Sequence, residues 1–167
     1  MVYEKFCKTA QDNSYYFFKY CMEHLPEKER RHIYYIMDPR EPDYKNVAGY
    51  GRQVVPFMSL KHMLLSLSMK ICISSDSTSH LYVWRSKPSI VRRAIKQKEE
   101  LFLQHGVTAM KRVDQLFGKN GSSPMTYFVT CSRPEHDIVV REFDYETENV
   151  PITGFANGVV SSAIEAR

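Results

Sequence analysis

The 167-residue chain is 43% hydrophobic and 25% charged, which excludes a disordered polypeptide and suffices for one domain with a real core. Its net charge of +4 is mild, and no apolar run approaches the roughly 18 residues that cross a bilayer. The start, Met1-Val2-Tyr3-Glu4-Lys5, lacks the basic-then-apolar pattern of a signal peptide, and Cys7, Cys21, Cys72 and Cys131 form no CxxC pair and no His-bearing metal spacing, so they read as reduced core thiols of a cytosolic protein.

In chain order, Asp12-Asn13 reads as the cap of an aromatic-rich helix from Tyr15 to Leu25, with Phe17, Tyr20, Cys21 and His24 on one stripe. Ile33 to Met37 is a β-branched and aromatic run that ends at the turn signal Asp38-Pro39. Residues 39–53 read as a polar loop, and Val54 to Phe57 as a second strand. Leu60, Met63, Leu64 and Leu67 fall at i, i+3, i+4 and i+7, which predicts an amphipathic helix capped by Ser59. Ile71 to Ile73 is a buried-type strand that runs into Ser74-Ser75-Asp76-Ser77.

From Arg85 to Lys98 there are six basic residues and no acidic one, which fits a solvated face and equally a surface that meets anionic lipid or a phosphate polymer. Leu101 to Leu103 is the next strand, ending at Gln104-His105-Gly106, and Val107, Met110, Val113 and Phe117 give a helical stripe. A turn-rich loop, Gly118 to Pro124, precedes a strand from Met125 to Thr130. A short helix from Glu135 to Phe143 follows, with Ile138, Val139 and Phe143 inward, then a last short strand at Pro151 to Phe155 and a small-residue tail. The βαβ alternation predicts a parallel sheet covered by helices, with strands near 33–37, 54–57, 71–74, 101–104 and 125–130.

Ligands of such sheets bind outside the carboxyl ends of the strands. Two segments hold that place: Ser74 to His80, and Gln104-His105-Gly106. Hydroxyls and a glycine at helix starts can bind phosphate, and a strand-end His can act as a general base, although either segment also fits a plain helix start. His24, His32, His62 and His136 read as surface residues, and no P-loop, GxGxxG, HExxH or GxSxG motif occurs.

Four segments in order resemble the CDP-glycerol:poly(glycerophosphate) glycerophosphotransferases, the teichoic-acid polymerases. They are Glu4 to Tyr20 with its Ala10-Gln11-Asp12-Asn13, Ile71 to Asp76, Phe102 to Thr108 continued by Lys111-Arg112-Val113-Asp114, and Val150 to Phe155. The resemblance covers residues 3–155. It implies a GT-B architecture of two Rossmann-like domains, of which residues 1–155 would be the three-layer acceptor-side domain and 156–167 an atypical tail, with the CDP-glycerol domain absent. It further implies transfer of glycerol phosphate from CDP-glycerol to a lipid-linked teichoic acid polymer, with release of CMP. His105 would be the base, and Ser74, Ser75, Asp76, Gly106 and Thr108 would hold acceptor or phosphate. The implied setting is peripheral, at the cytoplasmic face of the membrane against an anionic surface, with no cofactor, metal or nucleic acid. With the donor side missing, the expectation is an inactive fragment. The alternatives are a non-catalytic module that binds anionic polymer or membrane surface, and the product of a broken gene.

Overall fold

The computed structural model describes residues 1–82, 90–106 and 113–156. Six strands form one sheet: β1 (Val2–Tyr3), β2 (Tyr35–Met37), β3 (Val54–Pro56), β4 (Ile71–Ser74), β5 (Glu99–Phe102) and β6 (Tyr127–Phe128). All neighbours are parallel and the order is β3-β2-β1-β4-β5-β6. The chain builds outward from β1 to β3, crosses back to lay β4 on the other side of β1, and builds outward again. Such a reversal, here between β1 and β4, is where open α/β sheets place their ligands, outside the carboxyl ends of the strands. The expected Rossmann-like α/β domain with a parallel sheet is the fold observed.

The connections carry α1 (Asn13–His24), α2 (Glu27–Arg30), α3 (Tyr44–Val47), α4 (Leu60–Ser68), α5 (Ile90–Ile95), α6 (Asp114–Phe117) and α7 (Arg133–Phe143). Successive strand residues point to opposite faces, so the sheet has two buried sides. Val2, Tyr35, Met37, Val54 and Ile73 pack with Phe18, Cys21 and Met22 of α1. Tyr3, Ile36, Val55 and Cys72 pack on the other side with Val91 and Ile95 of α5. At the β5–β6 edge Phe102, Phe128, Val139, Phe143 and Tyr145 form a third cluster, with the Phe128 and Phe143 rings edge-on at 5.7 Å.

Helix starts obey local chemistry. Ser59 Oγ accepts from His62 N, and Ser132 Oγ accepts from Glu135 N. Residues 39–53 are not an open loop but hold α3 and a 3-10 segment, Ala48–Gln53. β1 is an addition that two residues cannot announce by periodicity. Pro151 to Phe155 is no strand; Thr130 and Ile152 form a single parallel bridge. The helical stripe expected from Val107 lies outside the described residues up to 112, and α6 is its described remainder.

Two helices turn differently from their apolar spacing. On α4, Leu60, Leu64 and Leu67 are 67%, 54% and 38% exposed, while His62 and Ser66 are fully buried. Two hydrogen bonds serve the inner polar groups locally: Ser66 Oγ donates to His62 O and Met58 N donates to His62 Nδ1, and burial pushes the His62 imidazole down to about 4, so it stays neutral. On α1 the buried hydrophobic residues are Phe18, Cys21 and Met22, and Tyr20 and His24 instead stack on each other outside at 4.3 Å. His62 and His136 are therefore core residues, whereas His24 and His32 are exposed.

Candidate active site

The loops after β1, β4 and β5 meet at the carboxyl edge of the sheet. Glu4, just past β1, is 1% exposed and accepts from three backbone amides: Gln11 N at 3.1 Å, Asp12 N at 2.9 Å and Tyr15 N at 2.8 Å. Those bonds fold the loop that leads into α1. Burial pushes the Glu4 carboxyl up, and the amide bonds oppose it. The first residues of α1 then reach the other two loops. Asn13 Nδ2 donates to Gln104 O at 2.8 Å, and Ser14 Oγ accepts from Ser75 N at 2.8 Å. Gln104 adopts φ of 59°, the left-handed region uncommon for a side-chain-bearing residue, and donates from Nε2 to Val129 O. The chain turns there and delivers His105 to the surface.

His105 sits between two carboxylates. Its Nδ1 bonds an Asp12 carboxylate oxygen and its Nε2 lies 3.2 Å from Asp76 Oδ1. Asp12 does two jobs, since its other oxygen accepts from Asn13 N at the start of α1. Asp76 Oδ1 is also 3.3 Å from His80 Nδ1, and the His80 ring lies against Phe6 with centroids 3.8 Å apart. The His105 side chain is 51% exposed, so it has an open side. The hydrogen bond to Asp12, then that to Asp76, raises the imidazole to about 10 against the opposing cost of burial. Burial alone would raise the Asp76 carboxyl, but hydrogen bonds from His105 and His80 hold it well below the usual carboxylate range. Among the described residues no group of three or more His, Cys, Asp or Glu is arranged to hold a metal ion.

No protein-family model matches the chain. It is 30% identical over 153 residues to the Minor teichoic acid biosynthesis protein GgaB of Bacillus subtilis (strain 168), which takes in 87% of this chain and 16% of GgaB. The chain is homologous to a segment of a teichoic acid biosynthesis protein. Solved structures of the wall teichoic acid polymerase TagF share its fold. A histidine-to-alanine variant of TagF gives a TM-score of 0.57 at 16% identity, over 96% of this chain and 40% of TagF. A histidine-to-asparagine variant described with CDPG gives 0.54 at 16% identity, over 92% and 38%. The chain thus spans well under half of the TagF chains and about a sixth of GgaB.

In this GgaB homologue the site residues expected from the sequence divide. His105, Gly106 and Asp76 lie together at the sheet edge. Ser74 and Ser75 face inward: both are buried, Ser74 Oγ accepts from Asp76 N, and Ser75 is bonded to Ser14. They shape the loop and leave Asp76 to meet His105. Thr108 lies outside the described residues. Sequence reasoning missed Asp12 as a histidine partner because its position before a helix already explained it as a cap. The three-amide role of Glu4 was equally hidden, although the Glu4…Asp12-Asn13 pattern was its visible trace.

Proposed function

We propose that this chain is the acceptor-side domain of a glycerophosphotransferase that transfers glycerol phosphate from CDP-glycerol to a lipid-linked teichoic acid, with the CDP-glycerol site lying outside residues 1–155. The observation that carries this reading is His105, open to solvent, held by Asp12 and Asp76 at the switch point of a parallel sheet. GgaB homology and the TagF fold supply the chemical class.

In the reaction, a terminal glycerol hydroxyl attacks the β-phosphorus of CDP-glycerol. The new phosphorus–oxygen bond forms as the bond to CMP breaks, and the hydroxyl proton passes to His105 Nε2. Clamped between two carboxylates, the imidazole is protonated at neutral pH and is not yet a base. As the incoming hydroxyl replaces Asp76 at Nε2, where the 3.2 Å contact is the looser of the two, the proton already on Nε2 leaves to solvent and frees the lone pair that then takes the hydroxyl proton. Asp12 keeps Nδ1 protonated and fixes the ring, as the carboxylate does in nucleophile–histidine systems. General-base help of this kind is worth on the order of 10²–10⁴ in rate. The test is CMP release in the complete protein: His105→Ala should lower it by about 10²-fold or more with the fold intact, and near-normal turnover would remove His105 from the mechanism.

Peripheral attachment to the cytoplasmic face of the membrane belongs to the same reading. The exposed Leu60, Leu64 and Leu67 of α4 and Ile90 at the start of α5 are accompanied by exposed Arg93 and Lys96, an apolar face with basic neighbours that suits an anionic bilayer surface. No described helix is long and apolar enough to cross a membrane. Co-sedimentation with anionic vesicles should weaken in Leu64→Ser and in Arg93→Gln/Lys96→Gln; unchanged binding would dismiss this face.

A further inference from the structure

A second charged concavity lies at the opposite edge of the sheet. Arg31 and His32 come just before β2, and Arg52 and Gln53 just before β3, so they stand at the amino ends of strands whose carboxyl ends bear the His105 site. With Lys28 and Lys61 they line a groove of about 580 Å³. An adjoining hollow of about 230 Å³ shares Arg31 and Arg52 and adds Arg30.

Lys61 and Arg31 are held by contacts that leave their charge uncompensated. Lys61 Nζ donates to Arg52 O at 2.9 Å and sits 4.9 Å over the Tyr34 ring. Arg31 Nε donates to His32 Nε2 at 3.0 Å. Glu27 lies 3.6 Å from Arg52 and is the single carboxylate of the lining. Among the described residues no carboxylate pairs with Lys28, Arg31 or Lys61.

We propose that this groove binds the phosphodiester backbone of the anionic polymer, away from its reacting end. Arginine forks match phosphate oxygens in pairs, and lysines add point charge. Cations spread over two hollows that share lining residues suit repeating phosphates better than one isolated anion. The exposed leucines lie on the flank of α4 rather than in the lining, so a bilayer surface is the poorer fit. The proposal rests on the polymer-building reading for its ligand, but not on His105 chemistry.

The experiment measures binding of a soluble poly(glycerol phosphate) oligomer to the 167-residue chain at low and high salt, with phosphatidylglycerol vesicles as a second arm. The parent should bind the oligomer in a salt-dependent way, and Lys28→Gln/Arg31→Gln/Lys61→Gln should bind about tenfold or more weakly. Arg133→Gln/Arg141→Gln on α7 should match the parent, and thermal melts should show all three folded. Equal oligomer affinity in the triple variant, or a parent that binds vesicles and not the oligomer, overturns the proposal. Oligomer binding that survives in a complete protein with no CMP release would sink the transferase reading and leave this groove standing.

Discussion

His105 shows how one side chain takes its character from its neighbours. An isolated imidazole titrates near 6.5, and here Asp12 first and Asp76 second lift it to about 10. Removing a carboxylate should therefore return it toward neutrality: NMR titration should find the His105 pKa lower in Asp12→Asn than in the parent, and an unchanged value would mean that the pair does not persist in solution. The linkage has a definite sign. A folded pKa above the unfolded one adds stability that is complete below about 6.5 and is lost as pH rises through about 10. The midpoint of thermal unfolding should fall over that window, and by less in His105→Ala; equal slopes would contradict the assignment. Glu4 makes the complementary case of a buried acceptor. Glu4→Gln replaces one of the oxygens that three amides share, and should cost about 1–3 kcal/mol in chemical unfolding. His105 was legible in the sequence because strand-end histidines are few. Asp12 was not, because one carboxylate here performs a local task and a distant one.

Among the elements, α4 separates pattern from packing. Leucine spacing points Leu60, Leu64 and Leu67 inward, yet a polar stripe through His62 and Ser66 takes the core side. Single-chain periodicity cannot rank two faces when the polar one finds hydrogen bonds in its own helix and in the turn before it. Leu64→Ala should accordingly change stability by under about 0.5 kcal/mol. Phe128→Ala, which empties the centre of the β5–β6 cluster, should cost about 3–5 kcal/mol. A large loss from Leu64→Ala in denaturant melts would return that face to the core. The longer strands were readable because β-branched and aromatic runs ended at turn residues. β1 was not, since Val2 and Tyr3 become a strand only by pairing with β2 and β4, far along the chain.

For the whole molecule, the order of the strands matters more than any one of them. Two wings grow from the centre, and the reversal between β1 and β4 marks the place for chemistry while the far edge is left to the basic groove. The parallel Rossmann-like plan could be read from the alternation of short strands and helices; the strand order could not, because nothing local records which side of β1 receives β4. The proposed transfer also needs a nucleotide site, and the chain spans 40% of a TagF chain. Incubated with CDP-glycerol and a lipid-linked acceptor, the 167-residue chain alone should release no CMP, while the complete protein should; release by the chain alone would place the nucleotide among residues read here as structural.

The stitching of three loops by the start of α1 has a consequence for how the domain breathes. Asn13 reaches the β5 loop, Ser14 holds the amide of Ser75, and Glu4 holds those of Asp12 and Tyr15. Surface loops ordinarily trade their amide hydrogens with water quickly, through small local openings. These amides cannot be released one at a time without breaking a buried partner, so those of Ser75, Asp12 and Tyr15 should exchange with deuterium about as slowly as the amides of β2 and β4. Such a slow-exchanging rim would make the His105 cluster a prearranged cradle that opens only when the central sheet does, rather than one assembled afresh at each encounter with substrate.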